Sequence, residues 1–139
     1  MQTFLPYRSF QKSAECLDYR RLGKQRVEAQ QILNVLTGKR KGWAHHPAVL
    51  MWRGYEGALR YYIHSMIREW VCRGYNNTMV SPATCRDEKA PVPKWLTSKF
   101  IRAHRSNLMR KDPEYYRQFK WGVPNDLEYV WPVRIGSRK

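Results

Sequence analysis

The segment LDYRRLGKQRVEAQQIL, residues 17–33, holds the side chains whose spacing could do chemistry. Arg21, Lys24 and Glu28 recur at steps of three and four, so a helix would carry one carboxylate and two cations on a single face. A carboxylate there can take or return a proton beside a reacting carbon, and the cations can hold an anionic substrate. The same spacing also describes an ordinary exposed ion-pair ladder, worth roughly 0.2–0.5 kcal/mol per pair. Asp18 and Arg26 fall nearer the apolar stripe of Leu22, Ala29, Leu33 and Leu36, where a charged group needs a partner or a cleft. A helix cap or an Asp18–Arg26 pair would satisfy Asp18. Gly23 inside this helix costs about 1 kcal/mol relative to Ala and signals close approach of another group to the backbone.

The elements that must position these residues follow from periodicity. Residues 1–9 are irregular, with Pro6 breaking any helix. Phe10 to Leu36 reads as helix with a break near Asp18, and Gly38 stops it ahead of the basic loop Lys39, Arg40, Lys41. A second helix starts at Pro47 and carries Trp52, Tyr55, Leu59, Tyr62, Ile63, Met66, Ile67 and Trp70 at helical steps to Gly74. That aromatic stripe is read as core. Residues 75–95, with Asn76, Asn77, Pro82, Pro91 and Pro93, show no period; a loop this long in a small domain is usually functional. Thr97 or Ser98 can cap a third helix to about Arg110. Asp112-Pro113-Glu114 starts a further short one, with Tyr115, Tyr116 and Phe119. The tail, with Trp121, Pro124, Tyr129, Trp131 and Pro132, is aromatic and irregular. No pair of strands emerges. The expectation is an all-α, compact single domain over residues 1–139, with three main helices joined by long loops containing aromatics and prolines.

Composition narrows the function. The 26 Lys+Arg outnumber the 11 Asp+Glu, a formal charge of +15 on 139 residues, and a surplus that large repels itself unless a polyanion compensates it. Basic residues interleaved with aromatics point to nucleic acid. The 42% apolar content argues against disorder. No run of about 18 apolar residues is present to span a bilayer. The opening MQTFLPYRSF has neither the charged lead nor the apolar core of a signal peptide. Cys16, Cys72 and Cys85 are odd in number and widely spread, so reduced thiols and a cytoplasmic location are expected. His45 and His46 are adjacent, while His64 and His104 stand alone. None has metal-ligand spacing with a cysteine, and no metal or other cofactor is expected.

Leu17-Asp18, then Leu22, then Glu28-Ala29 resembles the first long helix of the phage-type pyrimidine-dimer DNA glycosylases, also called UV endonucleases. His46-Pro47, Gly54-Tyr55 and Arg73-Gly74-Tyr75 resemble that family's second helix and its exit. His104-Arg105-Ser106, Leu108, the Asp112–Tyr116 start and the terminal aromatics resemble its third helix and tail. The resemblance spans nearly the whole chain and is weakest over residues 76–95.

The resemblance implies a helical enzyme that needs no metal, binds duplex DNA holding a pyrimidine dimer, kinks it and displaces a base. It implies that an N-terminal α-amine attacks the sugar C1′, that a Schiff base forms, and that β-elimination cuts the strand. An α-amine suits this, because its reference pKa of about 7.7–8.0 leaves far more of it neutral at pH 7 than a lysine's at about 10.4. Gln2 is too bulky for ordinary methionine trimming, which makes the Met1 amine the nucleophile. Carried over, Glu28 is the catalytic carboxylate, with Asp18 as fallback for it and Lys24 as fallback for the amine. Arg8, Arg20, Arg21, Lys24, Arg26, Arg102, Arg105, Arg110 and Lys111 are the expected DNA contacts. Tyr116, Trp121 and Trp131 are candidates for stacking on displaced bases, with core packing as the alternative for each. The partner expected is duplex DNA, met by a monomer. The rival readings are a non-catalytic nucleic-acid binder on the same scaffold and a protein whose basic face meets an acidic partner.

Overall fold

The computed structural model describes residues 2–132. Its six α-helices are α1 (Phe10–Cys16), α2 (Tyr19–Leu36), α3 (Pro47–Trp52), α4 (Glu56–Cys72), α5 (Ser98–Lys111) and α6 (Pro113–Tyr116), and no strand occurs among the described residues. The fold is all-α, and α2, α4 and α5 are the three main helices. No helix among them is long and apolar enough to cross a membrane.

Caps explain most boundaries. Ser9 accepts from the Lys12 amide to open α1, and Asp18 accepts from the Arg21 amide to open α2. Thr97 does the same for Phe100 in α5, and Asp112 for Tyr115 in α6. Each satisfies an amide that the first helical turn leaves without a partner. The break expected near Asp18 is therefore real. The single helix expected from Pro47 to Gly74 is not: Gly54, at φ +88°, turns the chain between α3 and α4. Only glycine adopts that region without strain.

α2 packs chiefly on α4, and α1 lies on α4 beside it. Leu22, Ala29, Ile32 and Leu33 of α2 meet Leu59, Tyr62, Ile63 and Met66 of α4 in one continuous core that also takes in Phe100, Leu108 and Tyr116. The bulkiest fully buried side chain is Trp52, consistent with reading the second aromatic stripe as core. Unexpectedly, the core also includes residues near the first helix: Phe4 and Leu5 join it and Thr3 is buried, although no helix or strand is formed there. Residues 2–9 hold no helix or strand, as expected, but residues 3–6 are buried.

Candidate active site

Side chains from four helices and the tail hold this buried segment. Gln25 of α2 grips it with both ends of its amide: Nε2 donates to the Gln2 carbonyl at 3.0 Å, and Oε1 accepts from the Phe4 amide at 3.1 Å. The Tyr62 hydroxyl faces the Phe4 carbonyl at 2.8 Å and Gln25 Oε1 at 2.6 Å. Trp52 Nε1 donates to the Thr3 hydroxyl, and the Tyr129 hydroxyl donates to the Thr3 carbonyl. The Leu5 amide donates to His104 Nδ1 at 2.9 Å, which leaves the ring proton on Nε2. Burial drives the His104 pKa down to about 3, so the ring stays neutral and keeps accepting. Burial also raises the Tyr62 and Tyr129 phenols above their ordinary value.

The segment so held ends against the candidate carboxylate. The Gln2 amide donates to Glu28 Oε1 at 3.3 Å, and Lys24 Nζ lies 3.7 Å from Glu28 Oε2. Lys24 is largely exposed, whereas Glu28 is mostly covered. Gln25 and Glu28 are one helical turn apart on α2, about 4.5 Å along the axis. One helix therefore carries both the clamp and the carboxylate. Met1 lies outside the described residues.

Glu28 stands on a ridge between two concavities. On one side an open groove of about 610 Å³ is lined by Tyr19, Gly23, Val27, Gln31 and Trp70. On the other a pocket of about 270 Å³ gathers Arg20, Arg21, Lys24 and Lys111 around Gln2 and Gln25. Arg20, Lys24 and Glu28 border both. One flank is aromatic and apolar, the other cationic.

The aromatic flank is built by close packing. An added Cβ at Gly23 would sit 3.0 Å from Trp70 Cζ3, which is the close approach that Gly23 signalled. Trp70 stacks on Tyr19 at 5.6 Å and lies 4.5 Å from Tyr75. The Arg26 guanidinium covers the indole at 4.3 Å, and its Nη1 donates to Asn77 Oδ1 at 2.6 Å. Arg26 Nε is buried without a hydrogen-bond partner. Burial lowers the Arg26 pKa from its ordinary value.

Of its two expected roles, Asp18 takes the helix cap and not the pair with Arg26. It caps α2, its partner is Arg21 at 3.1 Å, and it also accepts from the buried Tyr116 hydroxyl; Arg26 plays no part. Burial by itself would raise its pKa, but the hydrogen bonds from Tyr116 and Arg21 outweigh that and hold it below the usual carboxylate value.

The remaining expected site residues fall into separate groups. Arg8 Nη1 donates to the Leu96 carbonyl, Arg105 Nε to the Pro6 carbonyl and Arg110 Nη1 to the Asn125 carbonyl, each at 2.7 Å. Arg102 is exposed on α5. Trp121 packs with Tyr116 and Phe119 and donates to the Tyr7 hydroxyl, and Trp131 packs against Tyr129 and His46. Sequence reasoning passed over Gln25, Tyr19 and Tyr75 and read Tyr62 and Trp70 as core only. A signal existed for Gln25: it sits between Leu22 and Ala29 on the apolar stripe, where a polar side chain needs buried partners. No cluster of three or more metal-ligating side chains occurs among the described residues.

A family model described as pyrimidine dimer DNA glycosylase matches residues 1–81, the part of the chain that supplies the buried segment, Glu28 and the aromatic groove. No curated protein and no solved structure gives a match.

Proposed function

The chain belongs to the pyrimidine dimer DNA glycosylase family, DNA repair enzymes that act on DNA, and we propose that it is a glycosylase and AP lyase for pyrimidine-dimer duplexes. The observation that carries the reading is the 3.3 Å contact between the Gln2 amide and Glu28 Oε1. The Gln2 amide is bonded to the residue whose α-amine this reading makes the nucleophile, and that amide meets the carboxylate.

The neutral amine attacks C1′ of the damaged nucleotide. The C1′–N bond breaks, and the base leaves with the electron pair and a proton. Loss of the amine's proton and opening of the sugar ring give the Schiff base. Glu28 stabilises positive charge at C1′ and then takes the 2′ proton, and the C3′–O bond breaks to cut the strand. Arg20, Arg21 and Lys111 hold the flanking phosphates in the cationic pocket. C1′ is shielded in a stacked duplex, so a base must leave the stack. The groove walled by Tyr19 and Trp70 gives a displaced base an apolar surface beside Glu28. Action as a monomer and a cytoplasmic location belong to the same proposal.

Borohydride reduction in the presence of abasic-site duplex tests the reaction class. A covalent protein–DNA adduct is expected; its absence leaves a DNA-binding protein without this chemistry. Glu28→Gln is expected to slow strand cleavage about 10²–10⁴-fold while leaving duplex binding within about threefold. A variant that nicks at the unmodified rate removes Glu28 from the mechanism.

A further inference from the structure

The loop after α2 has features that the site around Glu28 does not use. Residues 37–45 are all exposed, and the run Lys39, Arg40, Lys41 forms no ion pair among the described residues. No Asp or Glu occurs between Glu28 and Glu56, so nothing in the local chain neutralises it. Arg53 joins this cluster from the far side, its Nη2 donating to the Ala44 carbonyl at 3.4 Å.

Trp43 stands at the tip, 52% exposed, with φ +61°. A bulky residue in the left-handed region is uncommon, since its Cβ crowds the following carbonyl. Such a conformation persists only where the surroundings enforce it, and it clusters at sites of recognition. Here the enforcing contacts are visible. The His46 amide donates to the Trp43 carbonyl at 3.0 Å, and the indole meets the His46 ring edge-to-face at 5.7 Å. His46 is itself fixed, because its Nδ1 accepts from the Ala48 amide to cap α3 and its ring packs on Trp131. The fold thus spends strain to present a large aromatic ring outward, next in sequence to the basic run, on the loop that leaves α2 about 12 Å along the helix axis beyond Glu28.

We propose that this loop is a second duplex contact: Trp43 stacks against or wedges into a base step flanking the lesion while Lys39, Arg40 and Lys41 hold the adjoining phosphates. The occupant is duplex DNA because the ring is paired with unneutralised cations, as a polyanion with stacking bases requires. The inference rests on the reading of DNA duplex as substrate, and it adds a site outside the reaction centre that would hold the duplex bent toward Glu28.

Trp43→Gly separates presentation from packing, because glycine takes φ +61° without strain. The measurements are protein melting temperature, anisotropy binding of a dimer-containing duplex, and fluorescence of 2-aminopurine placed beside the lesion. The expected result is a melting temperature equal to or above the unmodified protein's, affinity at least about fivefold weaker, and loss of the 2-aminopurine change. Trp43→Phe, which keeps a ring, is expected to retain binding within about twofold. Replacing Lys39, Arg40 and Lys41 by Ser should lower the slope of log K against log salt by about 3. The proposal is overturned if Trp43→Gly binds within twofold with an unchanged fluorescence response. It is overturned equally if that variant loses several degrees of melting temperature together with its binding, which would mark Trp43 as a packing residue. Borohydride trapping on single-stranded abasic DNA is read separately: no adduct from the unmodified protein defeats the lyase reading, while the loop is still judged by duplex binding.

Discussion

At the scale of residues, Gln25 decides where the start of the chain lies relative to Glu28. Methionine at this position matches the side-chain length but offers neither donor nor acceptor. Gln25→Met should therefore release the Gln2 carbonyl and the Phe4 amide while leaving the helix face filled. Because misplacement of about 1 Å can cost 10²-fold in rate, kcat for strand cleavage is expected to fall roughly 10- to 100-fold, with KM changed less than about threefold. Steady-state kinetics on a dimer-containing duplex measures both, and an unchanged kcat excludes the clamp from positioning. Spacing alone put Lys24 and Glu28 on one helix face, where they do form an ion pair, but it was the family resemblance that singled out Glu28, because the same spacing describes any surface ladder. The cap at Asp18 was legible too. Its partner Tyr116, 98 residues away, was not, because nothing local in either segment encodes their meeting.

Elements meet most tightly where Gly23 of α2 faces Trp70 of α4. Alanine would normally favour the helix by about 1 kcal/mol, but its Cβ would press on a ring already held by Tyr19, Tyr75 and Arg26. Overpacking of this kind typically costs 1–3 kcal/mol. Gly23→Ala should destabilise the protein by about 1 kcal/mol net and lower cleavage with it; a thermal melt showing stabilisation would mean that Trp70 moves freely. The break between α3 and α4 escaped sequence reasoning for a related reason. Trp52, Tyr55 and Leu59 keep helical spacing across Gly54 because both helices face one core, so periodicity runs on where the backbone turns. The burial of residues 3–6 was not foreseen because an irregular segment bonded to side chains has no period to detect.

Across the whole molecule, charge count and DNA footprint are different quantities. Arg8, Arg105 and Arg110 bond to backbone carbonyls, and Arg60 and Arg73 pair with Asp87 and Glu69, so many of the 26 basic residues brace the fold. The two proposed contacts draw on Arg20, Arg21 and Lys111 at the cationic pocket and on Lys39, Arg40 and Lys41 in the loop. Six phosphate contacts give a slope of log K against log salt of about −5. Titrations between low and moderate salt should find that value; flat binding would remove the basic face as the footprint. The net charge read from composition pointed correctly to a polyanion, yet composition does not reveal which cations are already spent.

The Leu5 amide bonds to His104 and the Thr3 carbonyl to Tyr129, spans of 99 and 126 residues. During synthesis, Leu5 and Thr3 cannot make these bonds until His104 and Tyr129 have been added. Long closures of this kind slow folding. The consequence is a timing control: a chain cut short before His104 lacks both bonds, so Thr3 and Leu5 take their seats beside α2 only once the segment from His104 to Tyr129 is in place.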